Sequence, residues 1–384
     1  MKVVHICLSG MFTDGFSYQE NLLTKYHVKA GHEVTMITSQ WIYNSGTDII
    51  KYLNTDYFNE DHVKIIRLPI QRDKNISYRL KRYIGVVEAL SIEKPDILFI
   101  HGCQFLDILK IKKYLKNNKI QTYVDNHADF TNSATNFLSK YILHGIVWRY
   151  CAQNVVPYVE RFYGVLPSRV DFLVDMYGIP REKCELLVMG ADDELVEKAG
   201  TEERCKQIRA RYNISESDFL VMSGGKIDRW KTQTLFLMEA VKKIEHSDIK
   251  LIIFGSVADE LKEKVTELTD GVKIQYIGWI QAKDSYDLFA AADLVVFPGR
   301  HSVFWEQVVA QGIPMIVKEW PGTHHVDLGG NVQFLKEDSV EEIRGKIERL
   351  MSEPDEYGKM KRVAVEEGMR EFSYREIAKR SIEL

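Results

Sequence analysis

The sequence predicts an α/β protein built from two doubly wound, parallel-sheet domains. Three observations carry that prediction. The chain has 384 residues, long for one hydrophobic core and suited to two domains of roughly 150–200 residues each. Short β-branched runs alternate with longer helical patterns, as a parallel sheet with crossover helices requires. The alternation then restarts near residue 200, after a charged stretch over 194–217.

In the N-terminal half, residues 3–8 read as the first strand, followed by a loop and a helix over 19–30 that Gly31 ends. Further strands fall at 33–38, 63–68, 97–101 after a Pro-Asp break, 121–125, 161–165 and 185–189. The C-terminal half opens with a strand at 219–223 and a helix over 232–244, then strands at 249–254, 272–277, 294–297 and 315–317. These runs are apolar throughout, the mark of strands buried on both faces. The tail from 340 to 384 reads as helix, broken at Pro354 and near Phe372 and Ser373. The domain boundaries that follow are 1–195, 196–365, and a C-terminal helix over 366–384 packing back on the first domain.

Composition removes several classes. Hydrophobic residues make up 45% and charged residues 28%, ordinary globular values that exclude bulk disorder. The net charge of −4 gives no electrostatic case for nucleic acid as a partner. The five cysteines are Cys7, Cys103, Cys151, Cys184 and Cys205. They form no C-x-x-C pair and read as buried free thiols in a reducing cytosol. The apolar run after Met1 is too short for a signal peptide, and no stretch reaches the roughly 18 apolar residues of a membrane span. The expected location is cytoplasmic.

Open parallel sheets bind ligands at the carboxyl ends of their strands, so the loops there are where chemistry is expected. The first is Ser9 to Ser17, with Gly10 and Gly15 ahead of a helix, a backbone that can approach an anion closely. It is not G-x-G-x-x-G, and a simple turn is the competing reading. The second, Ser223-Gly224-Gly225-Lys226-Ile227-Asp228-Arg229-Trp230-Lys231, lacks the spacing of a phosphate-hydrolysing P-loop. Its cations could neutralise a diphosphate, or form a solvated basic turn. The third runs from Pro298 to Gln307, where Arg300, His301 and the amides around Ser302 and Val303 open a helix that carries Glu306. His101 and His127 end strands, as functional or as structural histidines. The pair His324-His325 has no carboxylate at convincing spacing and reads as loop. No D-x-D triplet occurs, so any diphosphate must be met by cations and helix dipoles.

Several of these motifs fall into one order. KAGHEVTMIT, YGIPREKCELLVMGADDELV, SGGKIDRWK, VKIQYIGWIQAKDSYDLFAAADLVVFPG, WEQVVAQGIPMIV and FSYREIAKRSIEL resemble, over essentially the full length, the retaining glycosyltransferases of family 4, or group 1. The resemblance implies the GT-B fold, two Rossmann-like domains facing each other across a cleft. It implies a nucleotide-sugar donor such as a UDP- or GDP-sugar as substrate, and neither cofactor nor metal. Lys226 and Lys231 fall on the cations that meet the donor diphosphate, and Glu306 on the glutamate that accepts from the ribose hydroxyls. Gly15 falls on the N-domain glycine loop, His127 on a histidine beside the reacting sugar, and Gly278, Trp279 and Ile280 on the place where the nucleobase is read. One departure stands out. The first glutamate of the family's E-x7-E motif is Pro298 here, and the loop up to Glu306 is about four residues shorter than usual, with Arg300, His301 and Ser302 in its turn.

The acceptor is expected to be a saccharide or lipid-linked saccharide met by the N-terminal domain, in cell-surface polysaccharide or glycoconjugate synthesis. Lys110, Lys112, Lys113 and Lys116, with Arg79, Lys81 and Arg82, supply cations for peripheral contact with the inner, anionic face of a membrane; a solvated helix face is the competing reading. Two rival functions share the fold expectation: a catalytically silent sugar-nucleotide-binding partner subunit, motivated by the missing glutamate, and a sugar-nucleotide 2-epimerase.

Overall fold

A computed structural model describes residues 1–44, 48–71 and 80–383, and among these described residues are sixteen strands and their crossover helices. The strands are β1 Lys2–Cys7, β2 Glu33–Ser39, β3 Trp41–Tyr43, β4 Ile49–Lys51, β5 Asp56–Phe58, β6 Lys64–Leu68, β7 Ile97–His101 and β8 Gln121–Asn126. They continue as β9 Arg161–Gly164, β10 Cys184–Leu186, β11 Phe219–Gly224, β12 Ile249–Phe254, β13 Ile274–Tyr276, β14 Leu294–Phe297, β15 Met315–Lys318 and β16 Val332–Leu335. Contacts divide the chain into two units, one of Met1–Val188 with Ile377–Leu384 and one of Met189–Glu376. The division falls a little before residue 195, and the stretch that returns to the first unit begins at Ile377 rather than 366.

The first unit is a sheet in the order β10-β9-β8-β7-β1-β2-β6-β5. All its pairings are parallel except β5 with β6. The second is a six-stranded sheet, β13-β12-β11-β14-β15-β16, parallel throughout. In both, sequence order runs outward from the middle and reverses, between β1 and β7 and between β11 and β14. Ligands of doubly wound sheets bind at that reversal. β1, β7, β11, β12 and β14 are nearly or wholly buried, so hydrophobic burial at roughly 25 cal/mol per Å² explains why each run stays apolar.

Sequence and structure part at the short edge elements. The antiparallel pair β3–β4, the edge strand β5 and the last strand β16 lack the buried-strand pattern that marks the others. β13 is shorter than the run over 272–277. Asp270 Oδ1 accepts from the amides of Val272, Lys273 and Ile274, winding that entrance into a turn. Cys7, Cys103, Cys151 and Cys184 are buried thiols and Cys205 is half-buried. Among the described residues no helix is long and apolar enough to cross a membrane.

Two close approaches fix the loops at the strand ends. Arg67, on β6 and buried, donates to the carbonyls of Phe12 and Ser39 and to the Tyr57 hydroxyl, and pairs with Asp14 at 3.1 Å. It thereby pins the loop that carries Gly15, whose φ is +75°. In the second unit Gly255, at φ +127°, crosses so near the β11 loop that a Cβ would lie 1.9 Å from the Gly225 carbonyl oxygen. Gly255→Ala is therefore expected to cost about 1–3 kcal/mol from backbone strain alone, with more from the clash. Thermal unfolding of the variant should show a lowered midpoint, and an unchanged midpoint would contradict the close approach.

Candidate functional site

The β11 loop and the β14 loop meet because their strands are neighbours. Arg300, from the second loop, lies over the Trp230 ring at 4.7 Å, and Arg229 lies over the same ring at 4.9 Å. The two guanidiniums share the π-density of one indole, a contact worth about 0.5–1 kcal/mol each when exposed. Gly225 and Gly299 flank Lys231. A Cβ at Gly225 would sit 3.9 Å from Lys231 Nζ, and one at Gly299 3.6 Å from the Lys231 Cα. Burial lowers the Lys231 ammonium from its ordinary range, partly offset by Asp228. Lys226 is 65% exposed and reaches Asp228 at 3.4 Å. Lys226, Arg229, Lys231 and Arg300 thus gather at the reversal of the strand order, with Asp228 as the carboxylate in their midst.

Glu306 is placed differently from an open carboxylate awaiting sugar hydroxyls. Its helix, Phe304–Ala310, is buried along nearly its whole length, and Glu306 is 0% exposed. His301 Nε2 and His325 Nε2 approach the same carboxylate oxygen, Oε1, at 2.8 and 2.9 Å. Burial opposes its charge, but the two imidazoles overcome that and hold the carboxyl well below the usual carboxylate range. Its other oxygen, Oε2, has no hydrogen-bond partner among the described residues, and neither does His325 Nδ1 nor Trp305 Nε1. His325 has no carboxylate at convincing spacing in the sequence, yet its partner is Glu306. The crossover from β14 to β15 and the short turn His324–Val326 carry it to a carboxylate nineteen positions away.

The amides expected to be free at the helix start are partly used. Ser302 Oγ accepts from the Phe304 amide at 3.3 Å and the Ser302 carbonyl from Trp305 at 3.0 Å, so Ser302 caps the turn. Val303 is exposed. Phe304 packs edge-on to Phe254 and Phe289. Gly278, Trp279 and Ile280 follow β13; the Gly278 carbonyl accepts from the Gly255 amide at 2.7 Å, tying that loop to the end of β12. The Trp279 indole is 71% exposed. His301, Glu306 and His325 also present three ligand atoms within 4.8 Å of one another, a donor set of the kind that zinc and other first-row cations take.

In the first unit, His127 follows β8 and is 40% exposed at its side chain, with Nε2 3.5 Å from Asp125 Oδ2. Burial of its surroundings works against its charge, yet Asp125, and Glu20 more weakly, raise it above the ordinary imidazole value. His101 Nδ1 lies 2.8 Å from the same Asp125 oxygen. Gly15 sits in the loop that Arg67 pins. Of the basic cluster, Lys110 pairs with Asp107 at 2.8 Å and Lys112 donates to Asn154, while Lys113 and Lys116 are exposed. Lys81 turns inward: its ammonium donates to the Ser9 carbonyl, and burial lowers it to about 8. It is no surface cation. Arg79 lies outside the described residues.

A doubly wound sheet with clustered cations at its switch point defines an α/β domain suited to a diphosphate ligand. Residues 205–367 match the family described as Glycosyl transferases group 1, and the chain has the fold of the GT-B glycosyltransferases. It is 22% identical over 336 residues to the mannosylfructose-phosphate synthase of Agrobacterium fabrum, covering 83% of this chain and 70% of that protein. The crystal structure of Anabaena HepE in complex with UDP superposes with a TM-score of 0.69 at 13% identity, over 99% of this chain and 98% of that one. A UDP-GlcNAc 2-epimerase of Neisseria meningitidis bound to UDP-GlcNAc shares the fold with a TM-score of 0.65 at 12% identity, over 99% of both chains.

The histidine clamp makes Glu306 a pH-dependent support of the second unit. A carboxyl depressed on folding stabilises fully above its unfolded value, near 4.5, and that stability is lost as the pH falls toward the depressed value. Glu306→Gln should therefore lower the melting temperature at pH 7, and the gap to the parent should close as the pH is brought below about 4. A gap that stays constant across that range would show that the clamp carries no net charge interaction.

Proposed function

We propose that the chain transfers a sugar from a nucleotide-sugar donor, UDP- or GDP-linked, to a saccharide or lipid-linked saccharide acceptor, with retention of anomeric configuration. The observation that supports this most is the gathering of Lys226, Arg229, Lys231 and Arg300 at the β11–β14 reversal. Glycosyl transfer passes through an oxocarbenium-like state while negative charge grows on the leaving diphosphate. Fixed cations aimed at that charge are the principal catalytic lever. Lys231, already half out of water beside Gly225 and Gly299, needs little reorganisation to take a phosphate oxygen. Retention by front-face attack requires no protein nucleophile; the role assigned to His127 is to meet the sugar that reacts.

Glu306 serves the ribose through Oε2, the oxygen its two histidines leave unused, once the half-buried His301 yields. Gly278, Trp279 and Ile280 read the base. That the Anabaena relative binds UDP supports a nucleoside diphosphate as the leaving group. The acceptor meets the first unit, in surface polysaccharide or glycoconjugate synthesis at the inner face of a membrane. With Lys81 turned inward, the cations left for anionic lipid are Lys113, Lys116 and their neighbours.

Incubation with a panel of UDP- and GDP-sugars should release nucleoside diphosphate when acceptor is present. Lys226→Ala and Lys231→Ala should each lower kcat about 10²–10³-fold; unchanged turnover on the true donor would remove these lysines from the diphosphate site. The reaction needs no metal, so turnover in EDTA is expected to match the untreated enzyme. Loss in EDTA, restored by a divalent cation, would instead assign His301, Glu306 and His325 to that ion. The second reading is a sugar-nucleotide 2-epimerase, supported by the fold shared with the Neisseria enzyme. It would yield isomerised donor without acceptor, and a silent binding subunit would yield neither product.

A further inference from the structure

Three buried histidines run in a row through the core of the first unit, and the proposed reaction uses none of them directly. Asp125 Oδ2 meets His101 Nδ1 at 2.8 Å. His101 Nε2 meets His5 Nδ1 at 3.0 Å, and His5 Nε2 meets His27 Nδ1 at 3.0 Å. His27 Nε2 ends the row on the Ala378 carbonyl at 2.9 Å and Ser381 Oγ at 3.1 Å. All four ionisable members are at most 4% exposed.

Counting protons fixes the state of the row. Ser381 gives its own proton to the Ala378 carbonyl at 2.7 Å, so both atoms facing His27 Nε2 are acceptors. Asp125, at the far end, is also an acceptor when ionised. Three rings between two acceptors make four hydrogen bonds, and each bond needs one proton. Three neutral imidazoles carry only three. With three, two lone pairs would face each other at hydrogen-bond distance in a dry core, where an unmade hydrogen bond is costly. A fourth proton removes the conflict, and its charge cancels that of Asp125, leaving a buried group that is neutral overall.

We propose that His101, His5 and His27 share one extra proton, and that this row is a positioning device which offsets the charge of Asp125 and so sets the protonation of His127, the histidine beside the reacting sugar. The inference rests on the donor-transfer reading only in its last clause. His101 is the ring in direct contact with Asp125, at 2.8 Å, so the shared proton is drawn toward that end of the row. A hop along the row breaks one N–H bond and forms the next, with no net change. The charged and titratable groups facing these members are Cys7 on β1, Glu20 in the first turn of the helix Gln19–Lys29, His32 in the turn after that helix, His127 and Arg169. The Phe99 ring packs against His5 and His101 without charge, and Tyr163 stacks on Phe99 in turn.

The test has two parts. In ligand-free protein labelled with 15N-histidine, long-range 1H–15N correlation should find one imidazolium in the row, still present at about pH 8, above the unperturbed histidine value near 6.5. Three neutral rings at pH 7 would overturn the proposal, whatever the enzyme's activity. The second part uses His5→Phe, which leaves His101 Nε2 without its acceptor. His101 should then become neutral, Asp125 should act on His127 alone, and the limb of the kcat/KM profile set by His127 should move up by about 1 pH unit. His144→Phe, outside the row and bonded to the Tyr177 hydroxyl, is the control for a merely structural defect and should move stability without moving that limb. An unshifted limb in His5→Phe would end the link to His127. If the imidazolium is found but no nucleotide sugar turns over, the functional reading fails and the row stands.

Discussion

A carboxylate taken out of water costs several kcal/mol unless cations or donors match it closely, and each unit organises its strand ends around one such group. In the second unit it is Glu306, clamped at Oε1 by His301 and His325. In the first it is Asp125, matched by His101 and approached by His127. The histidines do what a lysine could not do in the same space. Each brings one flat ring with two addressable nitrogens, so one face satisfies the carboxylate and the other remains for a second partner. For Glu306 this leaves a carboxylate oxygen unused. For Asp125 it leaves a row of rings continuing into the core.

The same constraint explains why the cations at the β11–β14 reversal are not neutralised in place. Asp228 is the carboxylate among them, and it meets Lys226 at 3.4 Å, longer than a hydrogen bond. Arg229 and Arg300 lean on Trp230 instead of on an acid, which holds their forks without spending their charge. Glu306 is committed to its histidines. Positive charge is therefore kept available at the β11–β14 reversal. In the turn after Pro298, Arg300 faces the tryptophan and His301 the buried carboxylate.

Much of the architecture was legible because buried parallel strands announce themselves. β7, β12 and β14 fall on the runs read from the sequence, residue for residue, since each is apolar from end to end. β3, β4, β5 and β16 were not read, because short edge strands carry mixed side chains that local pattern does not distinguish from loop. The site was legible where it lies in one loop, as in Lys226 to Lys231. It was not legible where it depends on a crossover. His325 looked partnerless because its carboxylate is nineteen residues away, and only the β14–β15 connection joins them. His5 is similar: a lone histidine in a strand reads as a satisfied core residue, and its meaning appears only when His27 and His101 flank it. Lys81 was read as a surface cation because charge is usually exposed, whereas the Ser9 carbonyl draws it inward.

The most direct test is a crystal structure with UDP or a UDP-sugar bound. The diphosphate should lie at the carboxyl ends of β11 and β14, within hydrogen-bond distance of Lys231 and of Lys226 or Arg300. A diphosphate bound away from that reversal, with these three side chains still facing solvent, would contradict it.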